Sequence, residues 1–270
     1  MSKGTKAFVI VVAIVSFAAG IAFEYAFLTY LWPNRHQTYS WVYTLRKHAK
    51  PGEPVKTDQV LKRRGYSLGY AYDRKAALWV AYILTEGSVS VDVGRYSNFF
   101  PDKDIPEKHR ARLDDFVNTG FDKGHQAPSA SIDFSKRANR ETFALSNITL
   151  QAQKLNRQAW SKLEELERTW TKTKGKVYVV TGPIYDDTPK LVNGIPVPAK
   201  YYKVIYAYDA DQAIGFIFPN REVRNANLWH YSMPVQEVEE KTGYTFFSNF
   251  SDSKQRALKK TKDLDWWQEK

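Results

Sequence analysis

The chain opens on an apolar run. Ala7 to Phe23 carries no charge, Glu24 interrupts it, and Tyr25 to Trp32 continues it as far as Pro33. As a helix, Ala7 to Leu31 would extend roughly 37 Å at about 1.5 Å per residue. That exceeds the ~30 Å hydrocarbon core of a bilayer. Lys3 and Lys6 before the run, with Tyr30 and Trp32 at its far end, predict an N-terminal transmembrane helix whose start is cytoplasmic. A cleavable signal peptide, with its apolar region at Phe8 to Ala19 and cleavage near Ala22, is the competing reading. Either one exports the rest of the chain.

Beyond Pro33 the periodicity is that of a folded domain. Ser40 to Lys50 predicts an amphipathic turn or short helix. From about Tyr66 the pattern turns to strands, with Tyr70–Arg74 and Leu78–Leu84 forming a hairpin around Asp73 to Ala77. Ser88 to Asn118 is turn-rich and carries Arg95, and Thr142 to Leu150 is β-like. Leu155, Trp160, Leu163, Leu166 and Trp170 recur at helical spacing, which predicts a helix from Leu155 to Lys172 stopped by Gly175. Val177–Thr181, Tyr201–Tyr208 and Ile214–Phe218 read as strands, the last two joined by Asp209 to Gln212. A short helix at Val235–Lys241, closed by Gly243, precedes a strand at Tyr244–Phe247. With no internal repeat and no long linker, the expectation is an α+β domain on a mainly antiparallel sheet. It is divided as residues 1–32 (anchor or signal), 33–65 (linker and extension), 66–250 (the domain) and 251–270 (a charged, helical tail).

Composition narrows the chemistry. The 40 Lys and Arg against 29 Asp and Glu give a formal charge of +11, which favours a polyanionic partner. The basic residues come in short groups across the chain and not in a tail, as on a broad folded surface. Absence of cysteine excludes disulfides, thiolate zinc sites and a cysteine nucleophile.

Of the five histidines, His125 has the informative neighbours: Asp122-Lys123-Gly124-His125-Gln126-Ala127-Pro128. Gly124 removes side-chain bulk so that a phosphate can approach the backbone. Lys123 offers that phosphate a cation, and Asp122 can accept a hydrogen bond. A neutral imidazole can take a proton from water. On the predicted helix, Asn156, Trp160, Glu164 and Arg168 follow at i, i+4, i+8 and i+12, drifting only about 120° along one side. An amide oxygen suits Mg²⁺, which keeps most of its waters, and Glu164 would hold those waters. The bland alternatives are an N-cap at Asn156 and a solvated Glu164–Arg168 pair.

This set resembles the DNA/RNA non-specific endonucleases, the ββα-metal (His-Me finger) nucleases that include endonuclease G. The likeness extends through Leu145–Thr149, Gln153–Asn156, Ala159-Trp160, Leu163-Glu164, Val177–Pro183, Pro198–Val204 and Val235–Gly243. The resemblance implies His125 as general base, Asn156 as the protein ligand of one Mg²⁺ (or Mn²⁺), and Glu164 as the group orienting metal-bound water. It further implies that Arg168 and Arg95 contact phosphate and that Asn147 positions the histidine loop or the substrate. The implied product ends are 5′-phosphates. DNA and RNA are the implied partners, with room for a homodimer and an inhibitor protein. Lys123 stands where the family commonly has arginine, so the charge is kept and the planar fork is lost. The rival readings are a non-catalytic nucleic-acid-binding protein and a phosphodiesterase acting on another ester.

Overall fold

In the computed structural model, residues 51–269 are described; the expected anchor and the Ser40–Lys50 turn lie outside them. No helix among the described residues is long and apolar enough to cross a membrane. The fold is mixed α+β. Seven antiparallel strands form its sheet: β1 (Gln59–Lys62), β2 (Ser67–Ala71), β3 (Ala76–Leu84), β6 (Val177–Ile184), β9 (Lys200–Ala207), β10 (Gln212–Pro219) and β11 (Ser232–Met233), in that spatial order. Two small ladders lie outside the sheet, β4 (Asp122–His125) on β5 (Ile148–Gln151) and β7 (Leu191–Val192) on β8 (Ile195–Pro196).

Alternation along the central strands divides the core in two, because successive side chains point to opposite faces. Val80, Tyr82 and Leu84 of β3 join Val177, Val179, Tyr201 and Ile205 under Leu155, Trp160, Leu163 and Trp170. Trp79, Ala81, Ile83, Tyr178, Val180, Tyr202 and Val204 pack on the other side against Val235, Val238 and Leu258. Both sheet faces are therefore covered, so the strands read as nearly continuous apolar runs.

The short helices are α1 (Glu86–Val89), α2 (Lys136–Glu141), α3 (Gln153–Leu155), α4 (Ser161–Thr173), α5 (Val235–Thr242), α6 (Asp252–Lys260) and α7 (Leu264–Gln268). Gly243 closes α5 at φ +71°, a left-handed position where glycine carries no steric penalty.

Three expectations change and a fourth is extended. The helix expected as continuous from Leu155 is broken: a wider π-type turn at Asn156–Trp160, with Gln158 at φ −121°, ψ −105°, joins α3 to α4. Only Ile148–Gln151 of the expected Thr142–Leu150 strand is extended, because a 3₁₀ turn occupies Leu145–Asn147. Tyr244–Phe247 is not a strand; Phe246 and Phe247 plug the core from a loop, with Phe246 N–H donating to Glu239. The end expected to be helical after Ser251 does form α6 and α7 and is also packed in place, with Leu258 and Trp267 buried; Trp170 Nε1 donates to the Trp267 carbonyl at 3.0 Å.

Candidate active site

Strands β4 and β5, followed by the α3–α4 segment, make a ββα unit in which His125 pairs with Ile148 and Asp122 with Gln151. The structure brings Arg95, Lys123, His125, Asn156, Glu164 and Arg168 onto the wall of one cleft of about 400 Å³. Pro128, Ser129, Ala130, Arg157 and Ser161 complete it.

The π-type turn decides which residues reach this cleft. Even spacing had put Trp160 on the same side as Asn156 and Glu164. The extra residue in the wide turn rotates Trp160 into the core, where it is fully buried, and leaves Asn156, Glu164 and Arg168 at the opening. Asn156 does not cap a helix. Its Nδ2 donates to Asp122 Oδ2 at 2.9 Å, and no described residue donates to its Oδ1. Arg157 grips the same carboxylate with Nε and Nη2 at 2.9 and 2.7 Å. Burial opposes ionisation of Asp122, but the hydrogen bonds from Arg157 and Asn156 prevail and hold its pKa below the usual value. The first residue of the histidine motif thus turns the asparagine amide.

Asn147 does not line the cleft. Fully buried, it accepts from Ala127 N–H at 2.9 Å and donates to the carbonyls of Ala127 and Thr142 at 3.0 and 2.8 Å. It fastens the chain just past His125, so of its two expected roles the contacts match loop positioning. Gly124 serves a purpose other than the one its sequence suggested. A Cβ there would lie 2.5 Å from Gln151 Oε1 and 2.6 Å from Gln151 Cβ, so cross-strand packing inside the hairpin requires the glycine.

The His125 ring stands edge-on to Phe143, 4.8 Å between centroids, and tilted to Phe99 at 5.4 Å. Its Nε2 is buried without a hydrogen-bond partner. Burial pushes the imidazole pKa down to about 3, and the positive charge of Arg95 pushes the same way. The ring is neutral at any ordinary pH and can accept a proton. Burial raises the Glu164 carboxyl to about 7, with Lys203 pulling it down and Glu167 pushing it up. Arg168 Nη1 donates to Ser131 at 3.2 Å.

Behind Glu164 lies a group the sequence reading missed. Lys203, inside β9, and Glu167, inside α4, form an ion pair at 2.6 Å with both side chains fully buried. Tyr82 OH donates to the other Glu167 oxygen at 2.7 Å, and Lys203 Nζ sits 4.4 Å above the Trp160 ring. A lone lysine in the apolar run Tyr201–Tyr208 was the available signal.

Among the described residues, no three His, Asp or Glu side chains gather to cage a metal. The donors present, one unclaimed amide oxygen and one half-buried carboxylate, suit a hard cation that keeps most of its waters.

Comparison with known proteins agrees with this geometry. The profile of the DNA/RNA non-specific endonuclease family matches residues 46–253. A nuclease of Syncephalastrum racemosum is 33% identical over 231 residues, covering 76% of this chain and 72% of that protein. Mitochondrial endonuclease G of Bos taurus is 33% identical over 222 residues, covering 76% of this chain and 73% of its own. The solved structure of an EndoG/EndoGI complex superposes with a TM-score of 0.72 at 28% identity, covering 80% of this chain and 96% of that one.

Proposed function

Because the chain belongs to the DNA/RNA non-specific endonuclease family and is a hydrolase of that kind, we propose that the His125 cleft cuts phosphodiester bonds of DNA and RNA with a divalent cation, Mg²⁺ or Mn²⁺, as cofactor. The observation that carries this reading is the Asp122–Asn156 hydrogen bond. It commits the amide nitrogen and leaves the oxygen free on the wall of the cleft that His125 also lines.

His125, kept neutral, removes a proton from the attacking water. That water adds to phosphorus in line with the 3′ oxygen, whose bond to phosphorus breaks, leaving a 5′-phosphate and a 3′-hydroxyl. Arg168 and Arg95, at the cleft wall, face the charge that grows on the phosphoryl oxygens. Asn156 Oδ1 would hold the cation and Glu164 its water shell; once bound, the ion supplies neutralisation of that charge and assistance to the departing oxygen. Lys123 adds a point charge for a neighbouring phosphate. With contacts confined to phosphates, sequence preference is weak and affinity falls steeply with salt.

For its setting, we propose that the segment ending at Trp32 anchors the chain with the nuclease domain on the extracytoplasmic side, or is cleaved to release it. A protein inhibitor acting on this domain is a further proposed partner. It rests on the likeness to the EndoG solved with EndoGI.

Plasmid DNA and an RNA transcript incubated with Mg²⁺, with wild type and His125→Ala, test the reaction. Calorimetric Mg²⁺ binding to wild type and Asn156→Ala tests the site without cleavage. No Mg²⁺-dependent cleavage by wild type overturns the nuclease reading, and cleavage that survives His125→Ala overturns the base. Unchanged Mg²⁺ affinity in Asn156→Ala overturns the ligand.

A further inference from the structure

A second groove, of about 780 Å³, is lined by Arg63, Phe100, Lys103, Arg110, Arg137 and Arg140 among others. Most of its arginines are already engaged. Arg63 binds Asp102 and Asp104 at 2.6 and 2.5 Å, Arg110 donates to the carbonyls of Lys103 and Ile105, and Arg137 faces Glu141 at 3.3 Å. Arg140 differs. It is exposed, and its guanidinium has no carboxylate or hydrogen-bond partner among the described residues and rests on two rings, 4.9 Å from the Phe100 centroid and 5.8 Å from that of Tyr96.

Those rings lead back to the cleft. Tyr96 stands edge-on to Phe143 at 5.5 Å, and Phe143 in turn meets His125 at 4.8 Å and Phe99 at 5.1 Å. Two further cations ride the same strip, also without a carboxylate partner among the described residues: Arg95 over Phe143 at 5.3 Å and Lys123 over Phe99 at 5.6 Å. Buried Phe143 and the half-buried rings around it hold three cations without carboxylate partners in place, and such a set attracts the phosphates of a nucleic-acid strand.

We propose that this strip is a substrate-strand subsite, in which Arg140 grips a phosphate of the strand leaving the His125 cleft and the second groove holds the nucleotides beyond it. This rests on the nuclease reading. Three successive contacts, His125 to Phe143, Phe143 to Tyr96 and Tyr96 to Arg140, of 4.8, 5.5 and 5.8 Å bound the separation of Arg140 from His125 at about 16 Å, beyond the span of a single phosphate linkage. The subsite is therefore felt by long substrates and not by the shortest ones.

Binding of a fluorescent single-stranded 20-mer and a dinucleotide with one phosphate, measured by anisotropy in a chelator across a salt series, tests it without cleavage. Arg140→Ala should weaken 20-mer binding about tenfold, make the plot of log affinity against log salt shallower by about one unit, and leave dinucleotide affinity unchanged; Arg140→Lys should recover part of the loss. With Mg²⁺, the same variant should raise KM for the 20-mer and keep kcat. A 20-mer bound with wild-type affinity and slope overturns the subsite, as does an equal loss on both lengths, which would mean that Arg140 acts by disturbing the His125 packing. Failure of wild type to cleave either length overturns the nuclease reading alone, because the chelator measurement still decides the subsite.

Discussion

Glu164 and Glu167 are three residues apart on one helix and meet opposite conditions. Glu167 is sealed against the sheet with a lysine at 2.6 Å and a tyrosine hydroxyl at 2.7 Å, so both of its oxygens are claimed. Glu164 is half-buried at the cleft with no ion-pair partner among the described residues, and its pKa is raised to about 7. A buried charge with every oxygen satisfied is architecture. A half-buried carboxylate left short of counter-charge is poised for a cation that arrives later. The same division separates Lys203, locked inside, from Lys123, Arg95 and Arg140, which lie on rings along a surface.

The largest effect should come from the cleft side. His125→Ala is expected to lower kcat by about 10²–10⁴-fold, beyond the modest loss of stability that follows from removing a ring packed on Phe143 and Phe99. A loss confined to stability would put His125 on the structural side of the comparison. Its depressed pKa has a separate check: in the metal-free protein the imidazole NMR signals should still report a neutral ring at pH 5.

Next comes the inner pair. Lys203→Met leaves Glu167 as a buried, half-satisfied charge, expected to cost about 3–5 kcal/mol in urea unfolding. Adding Glu167→Leu and Tyr82→Phe should return most of it, because then no charge or hydroxyl is stranded. If Lys203→Met spares stability and abolishes kcat instead, the pair belongs to the chemistry and the comparison fails.

A smaller effect concerns Glu164 and pH. With a folded pKa of about 7 against an ordinary value near 4.5, the metal-free folded state holds a proton that the unfolded chain gives up. Its contribution to stability is therefore present below about pH 4.5 and is lost as pH rises toward and past 7. Mg²⁺ binding must expel that proton. Mg²⁺ is thus expected to raise Tm more at pH 8 than at pH 5.5, and Glu164→Gln to flatten the difference. Equal Mg²⁺ shifts at both pH values would detach Glu164 from the cation.

How much of this was legible beforehand follows from what kind of signal each part leaves. The hairpin at Asp73–Ala77 and the strands β6, β9 and β10 announce themselves by long apolar runs, and α5 by its period and its Gly243 stop. Of the seven site residues, six line one cleft; the His125 motif and the Asn156–Arg168 spacing pointed there from the residues themselves, whereas Arg95 came only from the family resemblance. What periodicity could not carry is the π-type turn, since one inserted residue changes every later direction without altering composition; hence the misplaced Trp160. Contacts distant in sequence were equally hidden. Asp122 to Arg157, Glu167 to Lys203 and Gly124 to Gln151 are pairings that only the sheet and hairpin bring about.

The smallest expected effect is also the most local. Lys123 occupies a half-buried place in β4, its Nζ 5.6 Å from the Phe99 centroid, with no carboxylate partner among the described residues. An ammonium presents a compact charge, whereas a guanidinium would present a planar fork able to stack on that ring and to meet two phosphate oxygens at once. Lys123→Arg should therefore tighten substrate binding by one hydrogen bond, about 1 kcal/mol, a roughly fivefold lower KM. Because charge is conserved, the salt slope should not change, and kcat should stay within about twofold. The comparison sharpens if Lys123→Arg and Arg140→Ala have independent effects on KM, as separate phosphates require. It weakens if the arginine lowers kcat by crowding Phe99 against His125, since Lys123 would then be chosen for the space beneath it and not for its grip.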